Sequence, residues 1–167
     1  GSAQAIAFDV ANAAQTHSAL QTMLEEGAIQ VLVNNAGIHD DAVMPGMKPQ
    51  QWSSVIDVSL NGFFNVTQPL LMAMLGKRWG RIINISSVNA LRGHKGLAVY
   101  SATKAALLGL TRSLASEVGP QGVTVNAIAP SLTLSERLLP HWEKRSAEGK
   151  AAEIERTATL VSELRES

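Results

Sequence analysis

Tyr100 and Lys104 stand four residues apart in the run YSATK, a spacing that puts a phenol and an ammonium on one face of a helix. A phenol ordinarily ionises near pH ~10, and a fixed cation beside it favours the phenolate, bringing such a pair toward acid-base work near neutral pH. Taken alone, the pair is weak evidence, since a Tyr and a Lys four residues apart occur by chance on many exposed helices. Three loops change that balance. Asn34-Asn35-Ala36-Gly37 directly follows an apolar run, Ser86-Ser87 follows Arg81 to Ile85, and the segment Val125 to Pro130 ends a further one. If those runs are strands, all three loops sit at strand carboxyl ends, where open α/β sheets present ligand-binding residues.

The elements that would hold these loops alternate along the chain. Ala5 to Val10 (AIAFDV) and Val31 to Asn34 (VLVN) read as short buried strands, with Leu20, Met23 and Leu24 at helical spacing between Asn12 and Glu26. Pro49 opens a helix whose apolar positions Trp52, Val55, Ile56, Phe63, Val66 and Leu70 recur at the helical period, with Pro69 expected to bend its last turns. Arg81 to Ile85 is a strand, Ser101 to Val118 a helix, and Val123 to Ile128 a strand. Such alternation predicts an α/β fold with a doubly wound, mostly parallel sheet of Rossmann type. From Glu136 onward charge is dense, and Glu143 to Arg156 reads as a polar helix, either a solvated surface helix or a lid. The expected division is a sheet-bearing region over residues 5–135 and a charged helical segment over 136–167.

In order and spacing, FDV, VNNAG, GRIINISS, YSATK and VTVNAIAP resemble the short-chain dehydrogenase/reductases, most closely 3-oxoacyl-carrier-protein reductase-like members. The resemblance runs from Asp9 to about Ser135. It implies that Ser87 hydrogen-bonds a substrate carbonyl, that Tyr100 gives or takes its proton, and that Lys104 holds the nicotinamide ribose and eases ionisation of the tyrosine. It further implies an NAD or NADP cofactor contacted by Asp9, Val10, Asn35, Ala36, Gly37, Pro130 and Thr133 as well as Tyr100 and Lys104. The substrate pocket would lie among Ile38 to Met47, Ser87 to Val99 and the segment after Pro130. The helices Trp52 to Met74 and Ser101 to Val118 resemble those that pair across family dimers and tetramers.

The sequence departs from that pattern in three places. Val58-Ser59-Leu60-Asn61-Gly62 puts serine where the family has a fourth catalytic group, an asparagine; the Ser59 hydroxyl is expected to bond back to its helix. Asn61 is a poor substitute, since two residues along a helix is about 200° around it. Pro130-Ser131 replaces the usual Pro-Gly. No glycine-rich G-x-x-x-G-x-G segment precedes Asp9, so the expected sheet is incomplete, without the family's first two strands and its last. AIAFDV is then expected either to dock beside VLVNN or to be completed by a second chain, because an apolar edge strand invites aggregation.

Composition narrows the function class. Across 167 residues, 14 Lys plus Arg balance 14 Asp plus Glu, so no charge excess points to nucleic acid or a membrane surface. With no cysteine there is neither a disulfide nor a cysteine metal site. No apolar run approaches the ~20 residues of a membrane span, and no signal-peptide pattern opens the chain. These absences suit a cytoplasmic, metal-free protein, and the resemblance implies an oxidoreductase acting on a small carbonyl, alcohol or acyl substrate as a homodimer or homotetramer. The alternative is a non-catalytic interaction protein that keeps the family core.

Overall fold

Three parallel strands form the sheet, in the order β1 (Val31–Asn34), β2 (Gly80–Ile85), β3 (Val123–Ile128). The register pairs Val31 with Arg81 and Asn34 with Asn84 on one side, and Gly80 with Val123 and Ile85 with Ile128 on the other. The computed structural model describes residues 3–131, 139–152 and 154–155, which belong to two units, Gly1–Ala129 and Pro130–Ser167.

In the first unit, helix α1 (Ala13–Glu25) starts where Asn12 accepts a hydrogen bond from the Gln15 N–H through its side-chain oxygen, at 3.1 Å. That bond satisfies one of the amides left without an intrahelical acceptor. Helices α2 (Pro49–Ile56) and α3 (Gly62–Lys77) run into each other through a π-helical turn over Asp57–Asn61. The π turn interrupts this long helix, and α3 includes Pro69. A π turn inserts one residue and re-aims the side chains around it, a device frequent at functional sites. Helix α4 (Ala98–Val118) begins earlier than the sequence suggested, so Tyr100 lies within its first turn.

Leu20 of α1, Leu70 and Met74 of α3, Ile82 of β2, Val118 of α4, and Val123 and Val125 of β3 make one buried apolar cluster. Each large side chain so buried contributes about 1.5–3 kcal/mol. A polar ladder crosses this core. Asn34 Nδ2 donates to Asn84 Oδ1 at 2.9 Å and to Thr67 Oγ1 at 3.0 Å, and Asn84 Nδ2 donates to Thr111 Oγ1 at 2.9 Å. The Thr111 hydroxyl donates in turn to the Leu107 carbonyl. Two adjacent strands are thereby fixed to α3 and α4 at the end that carries the loops.

Two strand expectations need correction. AIAFDV is not a strand: residues 3–9 have no regular structure and form no ladder with VLVN. The carbonyls at its end are taken up by α1 and α3. The Asp9 carbonyl accepts from Asn12 N and Thr16 Oγ1, the Asp9 carboxylate accepts from Ala11 N, and the Val10 carbonyl accepts from Asn65 Nδ2. A strand needs a ladder partner, and local Asx-turn and helix-start bonds outcompete the sheet here. Gly62 allows the approach to α3, because a Cβ there would lie 2.9 Å from Val10 Cγ2. VLVN, expected to be buried, is instead an edge strand with Val31 and Val33 more than half exposed.

The second unit carries α5 (Leu139–Glu143) and a helical stretch over residues 147–152. The continuous helix expected from Glu143 is therefore divided. Ser146 accepts from Gly149 N at 3.1 Å and caps the later stretch, giving its first amides an acceptor and starting a new helix. Arg156, the predicted end, lies outside the described residues. Among the described residues, no helix is long and apolar enough to cross a membrane.

Candidate active site

The carboxyl ends of β1 and β2 deliver two loops to the start of α4. From β2, the chain passes through Ile85 and Ser86 to Ser87, which opens a short 3-10 turn over Val88–Ala90. Ser87 is buried, and its Oγ accepts from Asn89 N at 3.2 Å. Ser86 is a strut: its hydroxyl donates to the Lys104 carbonyl at 2.7 Å, tying the end of the central strand to α4.

Lys104 is the centre of the arrangement. It is only 5% exposed, and its Nζ donates to the Ile85 carbonyl at 2.8 Å. Nζ lies 5.7 Å from the centroid of the Tyr100 ring. On the other side comes the loop from β1: a methyl group at Gly37 would stand 3.2 Å from Nζ. Glycine is thus the residue that lets backbone and ammonium meet. Burial removes water from the ammonium and pushes the Lys104 pKa below its usual range.

The remaining expected residues divide into groups. Val10, Asn35, Ala36 and Ser59 share the wall of an open, mostly apolar cavity of about 270 Å³, together with side chains of α1, β1 and α3. Ser59 is 3% exposed and its hydroxyl has no hydrogen-bond partner. The expected bond from that hydroxyl back to its own helix is therefore not made. The π turn puts the residue in a backbone geometry different from the α-helical one that such back-bonding uses. Asn61 is exposed and donates to Asp57 at 2.7 Å, away from Ser59's role. The carboxylate of Asp9, exposed to solvent, closes its own turn. Pro130 belongs to the second unit, and Thr133 lies outside the described residues.

Sequence reasoning passed over three participants. The Ile85 carbonyl carries no sequence signal. Asn84 does carry one, since an asparagine inside an apolar strand must find partners. His39 stands with its ring edge-on to Tyr100, centroids 6.2 Å apart and planes at 85°.

The family model described as short chain dehydrogenase matches residues 1–146. Among curated proteins, the acetoacetyl-CoA reductase of Paracoccus denitrificans is 48% identical over 130 residues, covering 78% of this chain and 54% of that protein. A 3-oxoacyl-(acyl-carrier-protein) reductase of Staphylococcus aureus is 44% identical over 133 residues, covering 79% and 54%. A gluconate 5-dehydrogenase from Burkholderia cenocepacia, solved in complex with NADP and tartrate, matches with a TM-score of 0.76 at 35% identity over 84% of this chain and 55% of that one. The chain spans about half the length of the curated relatives it matches.

Proposed function

As this chain belongs to the short-chain dehydrogenase family, we propose that it forms the active-site core of an NAD(P)-dependent oxidoreductase that interconverts a ketone and a secondary alcohol. The observation that carries this reading is the placement of Lys104 Nζ, 2.8 Å from the Ile85 carbonyl and 5.7 Å from the Tyr100 ring centroid.

The residues present suit the nicotinamide end of such a cofactor. An ammonium has three N–H donors, so the bond to Ile85 leaves Lys104 able to hold ribose hydroxyls as well, while the Asn35-Ala36-Gly37 backbone forms the adjoining wall. When bound, the nicotinamide supplies or accepts a hydride. The protein's part is proton handling and orientation. Tyr100 gives its phenolic proton to the substrate oxygen in reduction and takes it back in oxidation. Ser87 donates a hydrogen bond to the same oxygen and fixes the carbonyl, and the Lys104 ammonium stabilises the phenolate left behind.

The named relatives support a 3-oxoacyl thioester as substrate class. Exposed Phe64 and Met72 on α3 and Leu110 on α4 support a homodimer or homotetramer, and a sequence without cysteine suits a reducing cytoplasm. The second reading, a non-catalytic interaction protein, draws on the orphaned Ser59 hydroxyl and on the open, apolar edge of β1. Titration of the chain with NADH and NADPH, followed by turnover of a 3-oxoacyl thioester by wild type and Tyr100→Phe, separates the two. Saturable binding with turnover abolished by the substitution supports the enzyme; folded protein without binding supports the alternative.

A further inference from the structure

One loop touches both halves of the Tyr100 and Lys104 pair. Leaving β1, it passes Lys104 at Gly37 and two residues later brings the His39 ring against Tyr100. The loop is stitched at several points. Asp41 Oδ1 lies 3.2 Å from His39 Nδ1, Gln51 Nε2 in α2 donates to Asp40 Oδ1 at 2.6 Å, and Ala42 N donates to the Gly96 carbonyl at 3.1 Å. The loop around His39 is thus held from α2 through Asp40 and from the segment preceding α4 through Ala42, while His39 itself meets Asp41 and keeps its side chain 43% exposed.

We propose that His39 is a positioning residue for Tyr100: its imidazole, oriented by Asp41, packs edge-on to the phenol ring and fixes the ring plane, near which the O–H bond lies. Tyrosine χ2 is a broad torsion with little intrinsic preference, so a first-turn tyrosine depends on neighbours for a defined ring plane. Lys104 approaches the ring from one turn along α4, and the nearly perpendicular imidazole supplies a further wall in the geometry aromatic pairs favour. The consequence for turnover rests on the functional reading above, because proton transfer needs the O–H bond aligned with the substrate oxygen. The ring placement itself does not depend on that reading.

The sequence contains 1 tyrosine, so ring-labelled tyrosine reports Tyr100 alone in the NMR spectrum of the full chain. The expected result is that His39→Ala shifts the Tyr100 ring signals and speeds ring flipping, while His39→Phe restores both. For the 3-oxoacyl thioester, His39→Ala lowers kcat about tenfold with KM changed less than about threefold, and His39→Phe recovers most of the loss. Tyr100 signals that are the same in wild type and His39→Ala overturn the proposal, as does an altered ring with unaltered kcat. Absence of turnover in the wild-type chain overturns the functional reading instead, and the ring signals alone then decide the placement.

Discussion

The ammonium of Lys104 is hydrogen-bonded to the carbonyl of Ile85, 2.8 Å away at the end of the central strand. This bond ties the first turns of α4 to the sheet and leaves a charged group almost without water. Burial depresses the lysine pKa, so the native state binds its proton less tightly than the unfolded chain does. Between the lowered native value and the ordinary 10.5, the unfolded state holds more protons, and stability therefore rises with pH through that window. Below the native value the desolvation penalty is fully present. Urea unfolding at a series of alkaline pH values is expected to show that rise in wild type and a flatter profile in Lys104→Met.

Gly37 allows backbone and ammonium to meet. Gly37→Ala places a methyl group 3.2 Å from Nζ, so Lys104 must give way by a few tenths of an ångström. Steady-state kinetics are expected to show kcat/KM reduced by about tenfold or more, with the melting temperature little changed.

The Ser59 hydroxyl is buried without a partner. An unsatisfied buried polar group costs about 1–3 kcal/mol, so its removal relieves a penalty. Ser59→Ala is expected to leave stability unchanged or raise it by up to about 1 kcal/mol in chemical denaturation. A loss of about 1 kcal/mol or more would show that the hydroxyl is bonded in solution.

Asn84 links β1 and α4 through Asn34 and Thr111. Asn84→Ala strands donors and acceptors on both sides as well as leaving a void, and the expected loss is about 2–4 kcal/mol. Asn84→Asp keeps an acceptor toward Asn34 but brings a carboxylate into a fully buried site with only neutral partners, so a loss at least as large is expected at neutral pH in the same denaturation experiment, shrinking as the pH falls and the carboxyl takes up a proton.

Much of the sheet was legible because β2 and β3 are apolar runs of strand length followed by polar loops. Where reading failed, the deciding information was tertiary or carried no signal. AIAFDV has a strand's composition, but a strand exists only with a ladder partner, and Asp9 and Val10 found theirs in α1 and α3. The start of α4 was placed late because Leu97 caps it without a side-chain bond, so no Ser, Thr, Asp or Asn marks the boundary. The π turn over Asp57–Asn61 changes register by one residue inside a pattern that still reads as helix. The i,i+4 reading of Tyr100 and Lys104 agrees with their observed proximity. His39, by contrast, reaches Tyr100 through loop geometry that no spacing rule encodes.

The most direct test of the proposed function is the Tyr100→Phe substitution in the presence of cofactor. Turnover of a 3-oxoacyl thioester is followed by nicotinamide absorbance, and NADPH binding by nicotinamide fluorescence. Wild type is expected to bind and turn over, whereas Tyr100→Phe still binds NADPH within about threefold of wild type but loses about 10²–10⁴ in kcat, the contribution of one general acid. Equal turnover by wild type and variant, or a folded wild-type chain that binds neither NADH nor NADPH, would contradict the proposed function.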